Sequence, residues 1–182
     1  EMGMNHPGEI AELAEMARPT VALVNNAQRE HQEFMGTVEA VARENGSVLS
    51  FLPLDGVAIF PAGDEYTPLW TELSAGRPNL MFGEAADGAQ VFAGDVVWAN
   101  GAWSFALNTP QGVAAVQLHI AGRHNVRNAL AAAACAHAAG VSLAAIAKGL
   151  SGFEPVTGRS RALAVQINGQ GVTVVDDTYN AN

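Results

Sequence analysis

Apolar residues recur along the first part of the chain with helical and strand spacing in turn. Within residues 8–17 they fall at i, i+3, i+4 and i+7, the pattern of an amphipathic helix. Asn5 is predicted to cap this helix, Pro7 suits its first turn, and Pro19 ends it. The short apolar run over residues 20–24 then predicts a buried parallel strand.

The same alternation continues further along the chain. A helix is predicted over residues 37–45, a strand over residues 57–60 and a helix over residues 67–73. Strands that alternate with helices favour a parallel sheet, because each parallel connection needs a crossover and the crossover is usually a helix. The predicted fold class is therefore α/β, with a mostly parallel sheet flanked by helices.

The second half of the chain has a different pattern. Over residues 79–120, short apolar runs are separated by Gly, Asn, Asp and Pro, which predicts hairpins and a small antiparallel β subregion. Residues 125–139 are nearly apolar all round and predict a buried helix. The remaining predicted elements are a helix capped by Ser142, and strands 161–167 and 172–175 joined by an Asn168-Gly169 turn.

Composition and charge narrow the class of protein. The 182 residues include 18 acidic and 9 basic side chains, and the net charge of −9 disfavours nucleic acid as a partner. The single cysteine, Cys135, excludes a disulfide framework and a cysteine zinc site. The sequence has no apolar run of membrane-helix length and no signal peptide, so we expect a cytoplasmic protein without a membrane span. We also expect the protein to be a monomer.

Four polar clusters follow the ends of predicted elements, where open α/β sheets bind their ligands. They are Glu1, residues 26–33 with His31, residues 122–128, and residues 155–159 together with Asp176 and Asp177. Each cluster also has an ordinary explanation: a lone glutamate, a solvated loop histidine, asparagines that cap a helix, or a plain turn. The residue types alone therefore support an α/β domain with polar loops along one edge.

These clusters become distinctive when four strings are read in full. They are Glu-Met-Gly-Met-Asn-His-Pro-Gly-Glu-Ile at 1–10, Gly-Arg-His-Asn-Val-Arg-Asn-Ala-Leu-Ala-Ala at 122–132, Gly-Phe-Glu-Pro-Val-Thr-Gly-Arg at 152–159, and Asp-Asp-Thr-Tyr-Asn-Ala-Asn at 176–182. In these strings the chain resembles the Mur ligase family and, by the first and last of them, its MurF branch. The helix string alone would also fit folylpolyglutamate or cyanophycin synthetases.

The resemblance implies a protein of three domains, of which this chain covers most of the central, ATP-binding domain. Residues 1–173 would belong to that domain, and residues 174–182 would start the C-terminal ligase domain. The family's glycine-rich phosphate loop with Gly-Lys-Thr is absent from these residues, whose single lysine, Lys148, lies in a predicted helix. We therefore expect a stretch that is truncated at its N-terminus and inactive as a ligase by itself.

The resemblance also implies an activity, the ATP-dependent joining of D-alanyl-D-alanine to UDP-N-acetylmuramoyl-tripeptide through an acyl phosphate in peptidoglycan synthesis. ATP and Mg²⁺ would be the cofactors, because the metal offsets repulsion between the attacking carboxylate and the phosphate. By motif match, Glu1 and His31 would be the magnesium ligands and catalytic residues, Asn125 and Asn128 would contact adenine, Arg159 the phosphates, and Asp177, ahead of Asp176, the ribose.

One position departs from the family pattern. Many Mur ligases have a lysine on the helix after the His31 loop, and its carbamylation supplies a carboxylate to a second magnesium, but this chain has Asn45 there. Neighbouring Glu44 is predicted to point about 100° away around the helix, so a second metal would be held by fewer protein ligands, or by water and substrate. Two alternatives stay open: another Mur-type ligase, or a nucleotide-binding module without catalysis.

Overall fold

The computed structural model describes residues 1–28 and 35–179, and its helices and strands lie close to the predicted ones. The predicted metal ligand His31 lies outside the described residues. The helices are α1 (Glu9–Ala17), α2 (Val38–Ser47), α3 (Thr67–Leu73), α4 (His124–Ala138) and α5 (Leu143–Ser151), with short 3₁₀ turns at Val48–Phe51 and Ala85–Asp87. The strands are β1 (Val21–Leu23), β2 (Val57–Pro61), β3 (Asn79–Gly83), β4 (Val91–Ala99), β5 (Ala102–Thr109), β6 (Gly112–Leu118), β7 (Arg161–Ile167) and β8 (Gln170–Asp176).

In the described part of the chain, six strands form one sheet in the order β1-β2-β3-β4-β5-β6. The first three pairings are parallel, with Val21 opposite Val57 at the β1 edge and Phe82 opposite Val91 where β3 meets β4. The pairings β4–β5 and β5–β6 are antiparallel. The predicted α/β class, a mostly parallel sheet with an antiparallel subregion, is confirmed.

The hairpin pattern predicted from residue 79 onward was wrong for its first strand. β3 pairs in parallel with β2, with Ile59 opposite Leu80. The physical reason is that α3 supplies the crossover that a parallel connection needs, although the residues after it have the composition of a hairpin region. The antiparallel subregion therefore begins at β4 and continues the same sheet.

Both faces of the parallel strands are covered. Along β2, Ile59 packs into a cluster with α4, while its neighbours Ala58 and Phe60 pack into a second cluster with α1, α2 and Trp70 of α3. Neighbouring strand residues point to opposite faces of a sheet. The two clusters, and the helices in them, therefore lie on opposite sides of the sheet. Alanines dominate the buried side of α4, which lets its backbone approach the strands closely.

The start of α1 differs from the prediction that Asn5 caps it. The residue at the N-cap is Gly8, and no side chain caps the helix from that position. Instead, the backbone N–H groups of Asn5 and His6 donate to Glu9 Oε2 at 2.6 and 3.0 Å. Glu44 of α2 accepts from the N–H groups that begin the helix, so the cap comes from a distant part of the chain.

The last two strands form a separate hairpin, as predicted. β7 pairs with β8 in antiparallel register from Arg161 opposite Asp176 to Ile167 opposite Gln170. Asn168 and Gly169 have φ angles of 51° and 75°, the left-handed pair that a tight type I′ turn requires. The boundary predicted between residues 173 and 174 falls within β8. Separately, no helix in the described ranges has the length and apolar character needed to cross a membrane.

Candidate functional site

A cavity of about 800 Å³ runs along β1 to the residues just beyond its carboxyl end. β1 is the edge strand among the described strands. Glu1 is the only charged side chain among the described residues that line the cavity. The other polar side chains lining it are four amides: Asn25, Asn26, Asn45 and Asn128.

A chain of side-chain hydrogen bonds links the end of β1 to the start of α4. Asn25 Nδ2 donates to Asn128 Oδ1 at 3.2 Å, and Asn128 Nδ2 donates to Asn125 Oδ1 at 3.1 Å. Asn125 Nδ2 in turn donates to the carbonyl of Ala121 at 2.7 Å. Each amide is therefore held in one orientation, and among the described residues one N–H and one oxygen lone pair of Asn128 have no partner.

The chain of hydrogen bonds continues to the segment that follows β8. The N–H of Ala121 donates to the carbonyl of Ser160 at 2.9 Å. The N–H of Ser160 donates to Asp177 Oδ1 at 3.1 Å, and its hydroxyl donates to the same oxygen at 3.4 Å. Asn125 and Asn128, from one string, and Asp177, from another, thus belong to one connected network.

Arg159 lies in the loop that this network anchors. Its Cζ is 4.0 Å from the centroid of the Tyr179 ring. The N–H of Tyr179 donates to the carbonyl of Gly158 at 3.0 Å, and the N–H of Gly158 donates to Asp176 Oδ2 at 3.2 Å. Asp176 also accepts from the Thr178 hydroxyl at 2.8 Å, so this second candidate for the ribose is engaged in local structure.

The predicted metal pair is described only in part. Glu1 is exposed at the mouth of the cavity, whereas His31 lies outside the described residues. Within residues 1–28 and 35–179, no group of three or more His, Cys, Asp or Glu side chains gathers in a way that could hold a metal ion. Mg²⁺ prefers oxygen ligands, and one carboxylate beside several amide oxygens supplies that type of donor atom. The described residues therefore have the chemistry that a magnesium site needs.

Asn45 and its neighbour Glu44 point in different directions. Asn45 lines the cavity and donates from Nδ2 to the carbonyl of Asn26 at 3.4 Å. Glu44 is only 9% exposed and turns to the start of α1, away from the cavity. The predicted divergence of these neighbours is confirmed.

Sequence reasoning missed Asn25, which holds Asn128 in place. The predicted polar cluster begins at residue 26, one position after Asn25. Asn25 could have been identified from the sequence, because it is the first polar residue after a buried strand. Residues at that position line ligand sites in α/β sheets. Tyr179 lies in the string 176–182, but nothing in that string pairs it with Arg159.

A second cavity of about 470 Å³ lies beyond the ends of β2 and β3, on the other side of the first turns of α4. Its walls include Arg123, Arg127 and Asp64, and Arg127 Nη2 lies 3.6 Å from Asp64 Oδ2. Two consecutive residues of α4 therefore line different cavities: Arg127 lines this second cavity, and Asn128 lines the cavity along β1.

Comparisons with known proteins agree with the sequence strings. The MurF of Acinetobacter baumannii matches with a TM-score of 0.87 and 36% identity, over 99% of this chain and 38% of that one. The MurF ligase of Thermotoga maritima, crystallised in complex with ADP, matches with a TM-score of 0.80 and 25% identity, over 100% of this chain and 40% of that one.

The curated relatives and the family profile point the same way. The UDP-N-acetylmuramoyl-tripeptide–D-alanyl-D-alanine ligase of Escherichia coli is 37% identical over the full chain, and the chain spans 40% of that relative's length. The Haemophilus influenzae ligase of the same name is 32% identical, with 38% of its length covered. The profile of the Mur ligase middle domain matches residues 1–136, three quarters of the chain. The chain therefore belongs to the Mur ligase family.

Proposed function

We propose that this chain is the ATP-binding middle part of a ligase that joins D-alanyl-D-alanine to UDP-N-acetylmuramoyl-tripeptide. The observation that supports it best is the hydrogen-bonded network that connects Asn128, Asn125 and Asp177 beside the cavity holding Glu1. The two asparagines and Asp177 come from two different strings, and by the motif resemblance they would be nucleotide ligands, with Glu1 a metal ligand. The names of the relatives supply the two substrates.

The network supports a nucleotide as the ligand at the start of α4. Adenine presents an N–H donor and a ring-nitrogen acceptor side by side, and an asparagine amide pairs with both. Asn125 and Asn128 would contact the base, Asp177 would accept from the ribose hydroxyls, and Arg159 would bind phosphate oxygens. The related Thermotoga maritima enzyme was crystallised with ADP, which agrees with a nucleotide site in this domain.

Glu1 and His31 would hold Mg²⁺ in this proposal. When bound, the metal would neutralise charge between the phosphates and the incoming carboxylate. The substrate carboxylate would attack the γ-phosphorus, the bond to ADP would break, and an acyl phosphate would form. The amine of D-alanyl-D-alanine would then attack the acyl carbon, lose a proton and displace phosphate, so that one amide bond forms.

The test is a comparison of Asn128→Ala with Arg127→Ala in the full-length protein, with phosphate release as the readout. Losing one amide contact costs about 1–3 kcal/mol, so Asn128→Ala should raise the KM for ATP roughly fivefold or more. The KM for D-alanyl-D-alanine should stay unchanged. Arg127 faces the other cavity and is the matched control, so its variant should keep the KM for ATP within about twofold.

Other outcomes would redirect the proposal. Equal effects of the two variants on ATP would remove the adenine contact at Asn128. ATP turnover that requires a different acceptor and ignores D-alanyl-D-alanine would indicate another Mur-type ligase. Nucleotide binding without turnover under any acceptor would indicate a binding module.

A further inference from the structure

We propose that Tyr179 is a positioning residue for Arg159, holding its guanidinium flat so that the N–H edge is ready for a phosphate. The inference rests on the proposed function, because it takes Arg159 as the phosphate ligand. It adds a residue to that site, since none of the roles assigned above falls on Tyr179. The argument comes from the side-chain contact and from the backbone on both sides of Arg159.

The contact uses one part of the guanidinium and leaves another free. With Cζ 4.0 Å from the ring centroid, the cationic group lies over the aromatic ring of Tyr179. All five N–H donors of a guanidinium lie in its plane, so a ring that contacts the face leaves the donating edge available. An arginine held in this way keeps its capacity for a bidentate contact with an anion.

The backbone around Arg159 is fixed on both sides. The N–H of Gly158, before it, donates to Asp176 at 3.2 Å, and the N–H of Ser160, after it, donates to Asp177 at 3.1 Å. Both aspartates belong to the segment that leads to Tyr179. The same segment therefore holds the main chain around Arg159 through the two aspartate carboxylates. It holds the Arg159 side chain through the ring of Tyr179.

Gly158 allows the close approach that this arrangement needs. Its φ is +80°, and a Cβ at this position would lie 3.0 Å from Tyr179 N and 3.3 Å from Tyr179 Cβ. Gly158 is also buried, although Arg159 beside it is exposed. A side chain here would be strained at this positive φ and would crowd Tyr179 by a few tenths of an ångström.

In the described part of the chain, no carboxylate pairs with the Arg159 cation. Among residues 1–28 and 35–179, Arg159 has no ion pair, and the nearest aspartates in sequence use their oxygens on backbone N–H groups and hydroxyls. An arginine paired with a carboxylate would have to exchange that partner for a phosphate. The ring of Tyr179 orients Arg159 without occupying its donors.

The test is a double-mutant cycle in the full-length protein, with the KM for ATP and the kcat measured for Tyr179→Phe, Tyr179→Leu, Arg159→Ala and Arg159→Ala/Tyr179→Leu. An exposed cation–π contact corresponds to about a two- to fivefold change, so Tyr179→Leu should raise the KM for ATP by that factor. Tyr179→Phe keeps the ring and should match the wild type. In the Arg159→Ala background, adding Tyr179→Leu should have no further effect.

The alternative results separate the inference from the proposed function. If Arg159→Ala raises the KM for ATP but Tyr179→Leu does not, the positioning role is wrong and the phosphate role stands. If Tyr179→Leu has its full effect in the Arg159→Ala background, Tyr179 contacts the nucleotide itself and the inference is overturned. If Arg159→Ala leaves the KM for ATP unchanged, the phosphate role fails and the inference falls with it.

Discussion

Glu44 Oε1 accepts a hydrogen bond from the backbone N–H of Ile10 at 2.9 Å, which joins α2 to the start of α1 across 34 residues. The other carboxylate oxygen accepts from the N–H of Gly8 at 3.0 Å. The first N–H groups of a helix have no partner within it, and a carboxylate placed there satisfies them and complements the helix dipole. Glu44 is therefore the cap of α1, although it lies on another helix.

We expect Glu44→Ala to loosen α1. The change leaves two backbone donors without a partner at a largely buried site, a cost of about 1–3 kcal/mol. Hydrogen exchange of peptides covering α1 should rise by at least fivefold. Glu39→Ala is the control on the same helix, because Glu39 and its partner Arg43 are each 61% exposed. Equal exchange in the two variants would show that Glu44 does not cap α1.

Asn25→Asp should weaken nucleotide use although residue 25 is not one of the proposed ATP contacts. The variant keeps the size of the side chain and replaces the amide that donates to Asn128 with a carboxylate oxygen. Loss of this hydrogen bond is worth about 0.5–1.5 kcal/mol, so the KM for ATP should rise about two- to tenfold. The KM for D-alanyl-D-alanine is the internal control. An unchanged KM for ATP would mean that Asn128 keeps its orientation without Asn25.

Activity of the full-length protein should not depend on dissolved carbon dioxide. Asn45 cannot be carbamylated, and Glu44 is committed to α1 and cannot take its place at the cavity. Turnover in degassed, bicarbonate-free buffer should equal turnover after bicarbonate is added. A marked rise with bicarbonate would mean that a lysine outside this chain supplies a carbamate.

The segment before α1 should loosen in acid. Hydrogen bonds from the backbone N–H of Asn5, and then of His6, lower the pKa of Glu9 from its ordinary value of 4.5. A lowered pKa means that the charged carboxylate stabilises the folded segment above pH 4.5, and this stabilisation is lost as the pH falls through the lower folded value. Amide exchange at Asn5 and His6 should therefore speed up, relative to neighbouring amides, as the pH falls below that value.

Glu9→Gln is the control for this prediction. Glutamine keeps an acceptor but does not titrate, so the relative exchange of these amides should lose its extra pH dependence. The same acid response in wild type and variant would assign it to another group.

Local signals explain why most elements were predictable. Thr37 and Ser142 cap α2 and α5 through their own hydroxyls, and Asn168-Gly169 sets the hairpin turn. Each of these interactions spans a few residues, so it can be recognised in the sequence. The cap of α1 could not be recognised, because Glu44 reaches it only once α2 has packed.

The candidate site also combines local features with contacts between distant parts of the chain. The residues proposed for it could be singled out from strings, since the residue types at strand ends and at the start of α4 are local features. Its connections could not, because Asn25 and Asn128 are 103 positions apart and meet only when β1 and α4 pack together. The contact of Tyr179 with Arg159 depends in the same way on the hairpin that brings both ends of β7–β8 together.

The most direct measurement of the central claim is product analysis with the full-length protein, ATP, Mg²⁺, UDP-N-acetylmuramoyl-tripeptide and D-alanyl-D-alanine. We expect a UDP-N-acetylmuramoyl-pentapeptide in amounts equal to the ADP and phosphate released, and no product when either substrate or ATP is left out. ADP release without the pentapeptide, or no turnover with the complete mixture, would contradict it.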